Sequence, residues 1–196
     1  MNAVSFVELS APRGALGAIL TATLPTVSGE MRTSGEILSK VQGRLRDLAE
    51  RARWLGLVPA ANAIARGQAT VFQDADRLDQ ALAELLCADL SPPAAAVAAQ
   101  ALGDMSAELL ALQDEDLERG ALELLDEAAD SRALADLMKD IEHAAATVRR
   151  LAEQLDGARS RIHGALLVEA EGLEGSETVA AAETVAAAAR REGCQR

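Results

Sequence analysis

The chain has 196 residues, 49% of them apolar and only 2% aromatic, with nineteen Lys and Arg against thirty-one Asp and Glu for a net charge of −12. Ala and Leu supply most of the apolar residues, which favours helices, while the shortage of β-branched and aromatic side chains argues against a sheet. The acidic balance argues against a phosphate backbone or an anionic membrane surface as partner.

Residues 1–27 read as a loosely ordered N-terminal arm. Its most apolar stretch, Gly14 to Val27, is interrupted by Thr21, Thr23 and Pro25. It falls short of the roughly 20 residues needed to cross a bilayer. A single Arg13, preceded by Glu8, makes a poor secretory leader. From Met31 a heptad seam begins: Met31, Ser34, Leu38, Val41, Leu45, Leu48, Ala52 and Leu55 alternate three and four apart. The spacing predicts a first helix over 28–57. Gly56 and Pro59 weaken it, and Gly67 offers a second place to turn.

Ile64, Gln68, Val71, Ala75, Leu78, Leu82 and Leu85 give a second seam and a helix over 59–89. Ser91 can cap a third helix, with Pro92 in its first turn. That helix, over 92–128, carries Ala98, Leu102, Met105, Leu109 and Leu112. Asp116 then breaks the pattern, and Leu117, Ala121, Leu124 and Ala128 resume it one position late, the mark of a stutter. The fourth helix, over 131–171, keeps its seam without a lapse from Leu134 through Ile141, Val148 and Leu155 to Ala165. Residues 172–196 repeat Glu-Thr-Val-Ala-Ala-Ala with a period of six, which matches no helical seam and reads as a low-complexity tail. Four seams with short connections imply an all-α, elongated antiparallel four-helix bundle of coiled-coil hairpins. An unused seam leaves room for a homodimer.

Residues 28–67 carry a net charge of +3 and residues 68–130 a net of −13. A basic first helix beside acidic second and third helices favours one packing order; the acidic stretch reads as a solvated face, with a dock for a basic partner as the alternative. Cys87 and Cys194 form no disulfide framework, which fits free thiols in the cytoplasm. His143 and His163 lie off the seam, and only Asp140 and His143 share a face, so the pattern names no metal site and no cofactor. No Gly-x-Ser-x-Gly or glycine-rich phosphate loop occurs.

Two stretches carry resemblances. Asp47-Leu48-Ala49-Glu50, followed by Leu55, Leu57, Ala60 and Ala63, resembles without a gap the cytoplasmic signalling tip of methyl-accepting chemotaxis receptors. Arg66-Gly67-Gln68-Ala69-Thr70-Val71 and Arg77-Leu78 continue the likeness after a short gap. The likeness covers about thirty residues and departs from the family at Val58, Pro59 and Asn62. In that family the segment caps a helical hairpin that binds the adaptor CheW and the histidine kinase CheA and performs no chemistry. The resemblance implies a non-enzymatic, cytoplasmic signal-transduction protein that meets its partner through Trp54, Leu55, Leu57 and Arg66. Trp54 suits an interface anchor or, equally, a lid on the end of the core.

Phe72-Gln73-Asp74 is similar to a segment of the CheZ-type chemotaxis phosphatases, which hold a water with an Asp and a Gln one helical turn apart. Asp74 follows Phe-Gln as in that family, but Leu78 stands where the Gln belongs, and only Asp76 and Gln80 have the spacing. This likeness implies a catalytic pair, Asp76 and Gln80, acting on a response regulator. A purely structural coiled-coil assembly factor is the third reading.

Overall fold

A computed structural model describes residues 18–87, 90–124 and 131–193, with side-chain surroundings through residue 168, Glu123 excepted, and at residue 170. The described residues are helical except at short turns, and none of them is in a strand. Helix α1 spans Ala18–Trp54, α2 Val58–Leu85 and α3 Pro92–Ala111. A seven-residue π segment, Leu112–Glu118, carries α3 directly into α4, Arg119–Glu123, and α5 spans Arg132–Gly193. The expected ends of the second and third helices, at 89 and 128, lie outside the described residues, as do residues 1–17 and Cys194.

The first correction concerns α1. It begins at Ala18, ten residues before the expected start, and runs straight through Pro25. Proline removes one backbone donor from a helix. Here the loss is offset by burial, because Leu20 and Val27 are fully buried and Leu24 packs against the same core. Leu20, Leu24, Val27 and Met31 extend the heptad seam backwards. Residues 18–27 are therefore part of the first helix rather than of an arm.

The turn from α1 to α2 falls at Gly56, with φ at +79°, while Gly67 stays helical. Leu57 N–H donates to Ala52 O at 2.9 Å and Gly56 N–H to Arg53 O at 3.0 Å. This pair is a Schellman closure, which needs a residue free to take positive φ. Leu57 folds back against the core, as the residue after such a closure commonly does. Pro59 sits in the first turn of α2, where its missing N–H costs nothing. Ser91 caps α3 as the sequence predicts, accepting from Ala94 N–H at 3.4 Å ahead of Pro92 and Pro93.

Three of the four seams are buried over most of their length, the exceptions being Leu55, which is exposed just past the end of α1, and Leu134, which is half-buried at the start of α5. Met31 to Ala52 on α1, Ala98 to Leu112 on α3 and Leu137 to Ala165 on α5 face inward. The α2 seam differs. Ile64, Val71, Leu78 and Leu85 are buried as read, but Gln68, Ala75 and Leu82 lie only half-buried, and Gly67, Asp74 and Ala81, one position earlier, are buried in their place. Small side chains at these positions bring the helices close: a Cβ on Gly67 would stand 3.2 Å from Leu112 Cγ.

The stutter is a π turn. Leu112 and Leu117 are both buried, five residues apart, and the π segment between them absorbs the extra residue. Inside it Gln113 is buried and donates from Nε2 to Glu118 Oε1. Beyond the π turn Ala121 and Leu124 are back in phase with the core.

Helix α1 packs on α2 and α5, and α3 packs on α2 and α5; among the described residues the backbones of α1 and α3, and those of α2 and α5, do not approach closely. Close pairs fix the levels of contact. Arg51 and Arg44 of α1 meet Asp140 of α5, and Glu30 meets Arg161. Ser106 Oγ of α3 donates to Ala152 O of α5 at 2.9 Å. Near it a Cβ on Gly103 would come within 2.8 Å of Arg159 Cδ, so only glycine lets that arginine stem lie across α3.

Residues 92–122 are long and apolar enough to cross a bilayer by length and composition. In this fold the apolar stripe from Ala95 to Leu109 faces the core instead. The six-residue repeat lies within α5, which continues to Gly193. Its alanines are strong helix formers and need no seam to stay helical.

Candidate functional site

Two places stand out: the α1–α2 turn and the middle of α2. At the turn, Trp54 is 91% exposed, with Val58 at 56% and Leu55 at 41%. The Schellman closure stops α1 at Trp54 and leaves the indole outside the core. Trp54 is therefore no lid on the core. Leu57 points the other way, into the core, and is a structural residue of the turn. Arg66 lies on α2, about two helical turns beyond its start, with its guanidinium 2.8 Å from Asp116 Oδ1 in the π segment. The structure thus brings Trp54 and Leu55 together, turns Leu57 inward and occupies Arg66 with an ion pair. Val58 was not singled out by sequence; a valine at the first position of a helix has no seam to reveal its direction.

Beside the turn lies a hollow of about 310 Å³ lined by Pro59, Asn62, Arg66, Glu115 and Arg119 among others. A larger one, about 520 Å³, opens between α1 and α5 around Pro25, Gly29, Glu30 and Arg161. Neither lining pairs a nucleophile with a base. Among the described residues, no three His, Cys, Asp or Glu side chains converge as metal ligands. Asp140 spends both carboxylate oxygens on Arg51 and Arg44, and the Arg51 hydrogen bond holds its carboxyl below the usual range. His143, one turn further on, is exposed.

In the middle of α2, Phe72, Gln73, Asp76 and Gln80 all face outward. Gln80 donates from Nε2 to Glu84 Oε1 at 3.2 Å, a bond to the next turn rather than back to Asp76. Asp74 faces the opposite way and its side chain is fully buried. Its Oδ1 accepts from Arg77 at 3.2 Å, and the same Arg77 nitrogen donates to both oxygens of Glu108 on α3 at 2.8 Å. Asp74 Oδ2 has no hydrogen-bond partner. Burial pushes this carboxyl up to about 7, the charge of Glu108 adds to the rise, and Arg77 opposes it. Asp74 escaped the sequence reading because the apolar neighbours Ala75 and Leu82 claim the seam; the signal for it was the seven-residue spacing of Gly67, Asp74 and Ala81.

No protein-family model, curated protein or solved structure matches this chain.

Proposed function

We propose that the protein is a non-enzymatic helical interaction protein that docks a protein partner on the end carrying the α1–α2 turn. The supporting architecture is an antiparallel, elongated four-helix bundle with α1 and α3 on one diagonal and α2 and α5 on the other. The observation that carries the reading is the exposure of Trp54, next to Leu55 and Val58, at a rigid turn. Tryptophan held outside the core on a fixed backbone is a favourable binding anchor, because little conformational freedom is lost on contact. The turn falls inside the segment that resembles a chemotaxis-receptor tip, so the partner we propose is a cytoplasmic chemotaxis adaptor or its kinase. Pull-down of CheW and CheA with the full chain tests this. The wild type should retain the partner, and a Trp54→Ser, Val58→Ser double variant, which leaves the core untouched, should lose it. Equal retention by both would remove the turn from the interaction.

A second reading rests on the outward alignment of Asp76 and Gln80 one turn apart, with Phe72 53% exposed beside them. It makes the protein a CheZ-like phosphatase of a response regulator. It predicts faster loss of phosphate from such a regulator when the protein is added, and no acceleration with Gln80→Ala. If neither activity appears and the chain self-associates through a free helix face, a structural assembly role follows.

A further inference from the structure

We infer that Asp74 makes the α2–α3 contact a proton-controlled seam, closed while Asp74 carries a proton and loosened when the proton leaves. The observation behind this is one cation at the rim of a helix–helix contact serving two carboxylates, of which Asp74 is fully buried. Arg77 spans Asp74 Oδ1 and both oxygens of Glu108, which leaves Asp74 Oδ2 buried and unpartnered. With both acids ionised, the Asp74 charge, which shares Arg77 with Glu108, is only partly compensated between Val71 and Leu78, the buried residues one turn to either side. A buried acceptor without a donor and a buried charge without a partner are both costly.

A single proton on Oδ2 removes both faults. It turns the unpartnered acceptor into a donor, and hydrogen bonding between the Asp74 and Glu108 carboxyls favours that protonated form. It also leaves one carboxylate matched to one guanidinium. The proton comes from water and returns to water, and no other reactant is involved.

The groups that set this balance are few. Arg77 on α2 and Glu108 on α3 act on Asp74 directly, and Asp104 on α3 acts through Arg77. Helix α1, which packs on the other side of α2 with Gly35 close to Leu78, adds no charged group to the set among the described residues. The rise of the Asp74 carboxyl to about 7 places the transition near neutral pH. Any opening that wets Asp74 returns it to an ordinary acid, so opening becomes easier as pH rises.

Amide hydrogen exchange on the full chain reads the seam directly. From pH 5 to pH 8, openings that expose Asp74 should grow on the order of a hundredfold after correction for intrinsic exchange. The loss of protection should fall on residues 70–82 and 100–112, while the α1–α5 contact around residues 141–155 keeps its protection. In Asp74→Asn, where the amide can accept from Arg77 and donate to Glu108 at every pH, the change should vanish. A carboxyl-carbon NMR titration supplies a reading that needs no Asp74 variant. The Asp74 midpoint should lie near neutrality in wild type and fall in Glu108→Gln. An equal pH response in Asp74→Asn, an Asp74 midpoint in the ordinary carboxylate range, or a midpoint unmoved by Glu108→Gln would each overturn the inference.

Discussion

Along the α1–α5 contact the buried positions are apolar and the charges stay on the rim. Leu38, Leu45, Ile141 and Val148 are inside, and the Arg44, Arg51, Asp140, Glu30 and Arg161 side chains are all more than a third exposed. Along α2–α3 the order is different. Gly67, Asp74 and Ala81 share the buried face of α2 with Ile64, Val71 and Leu78, the fully buried Asp74 carboxylate hangs from an Arg77–Glu108 pair that is itself more than a third exposed, and the backbone of the facing helix departs from α geometry at Leu112. The first contact gains its stability from apolar area. The second adds close approach and one buried carboxylate to its apolar area, and that carboxylate carries an energetic cost that depends on pH.

The largest expected difference between the two sides is the response to pH. A carboxyl raised from 3.8 to about 7 favours the folded state at low pH. In that range the native protein binds the extra proton, so stability falls as pH rises between the two values and stays low above the upper one. At about 1.4 kcal/mol per pKa unit, the full loss is on the order of 4 kcal/mol. Asp74→Asn should therefore raise stability in urea melts at pH 8 by a few kcal/mol and change it little at pH 4. Asp140 has the opposite sign: its lowered carboxyl stabilises the fold above the ordinary Asp range, and that contribution is lost as pH falls through its folded value.

Truncating an apolar seam residue should come next. Ile141→Ala removes a fully buried side chain from α5 and should cost about 3 kcal/mol at any pH, read from the urea midpoint. A pH-dependent cost there would erase the contrast between the two contacts. Deleting Asp114 from the π segment should be milder. It returns Leu112 and Leu117 to four-residue spacing in an ordinary α-helix, so stability should change by about 1 kcal/mol or less. A collapse of the melting transition would show that the π backbone itself is required. The smallest effect belongs to the rim. Arg51→Ala should cost about 0.5 kcal/mol and less in high salt, because both partners are solvent-accessible.

How far the sequence reaches follows the same division. The seams of α1, α3 and α5 are legible because Leu, Ile, Val and Met mark the inward positions without a competitor. On α2 only the stripe of Ile64, Val71, Leu78 and Leu85 is legible; for the second stripe, 67/74/81 and 68/75/82 both keep heptad spacing, and the larger apolar residues lie on the one that is only half-buried. The slip after Leu112 shows in the sequence as one surplus residue, but spacing alone does not distinguish a π turn from a loosened coil. Pro25 reads as a stop, and only the burial of Leu20, Leu24 and Val27 explains why the helix ignores it. At the turn, Gly56 was one of two legible candidates, and the exposure of Trp54 was one of two legible fates. The inward turn of Leu57 depends on the Schellman geometry, which residue spacing does not encode.

Three of the four major contacts join helices that follow one another along the chain, and only α1–α5 joins its distant parts: Arg44 meets Asp140 across 96 residues, and Glu30 meets Arg161 across 131. Contacts between sequence neighbours cost little loop entropy and form early, whereas the distant pair must wait for the rest. The kinetic barrier to folding should therefore centre on the closure of α1 against α5. Substitutions in that contact should mainly slow folding, and the α1–α2 hairpin should assemble first.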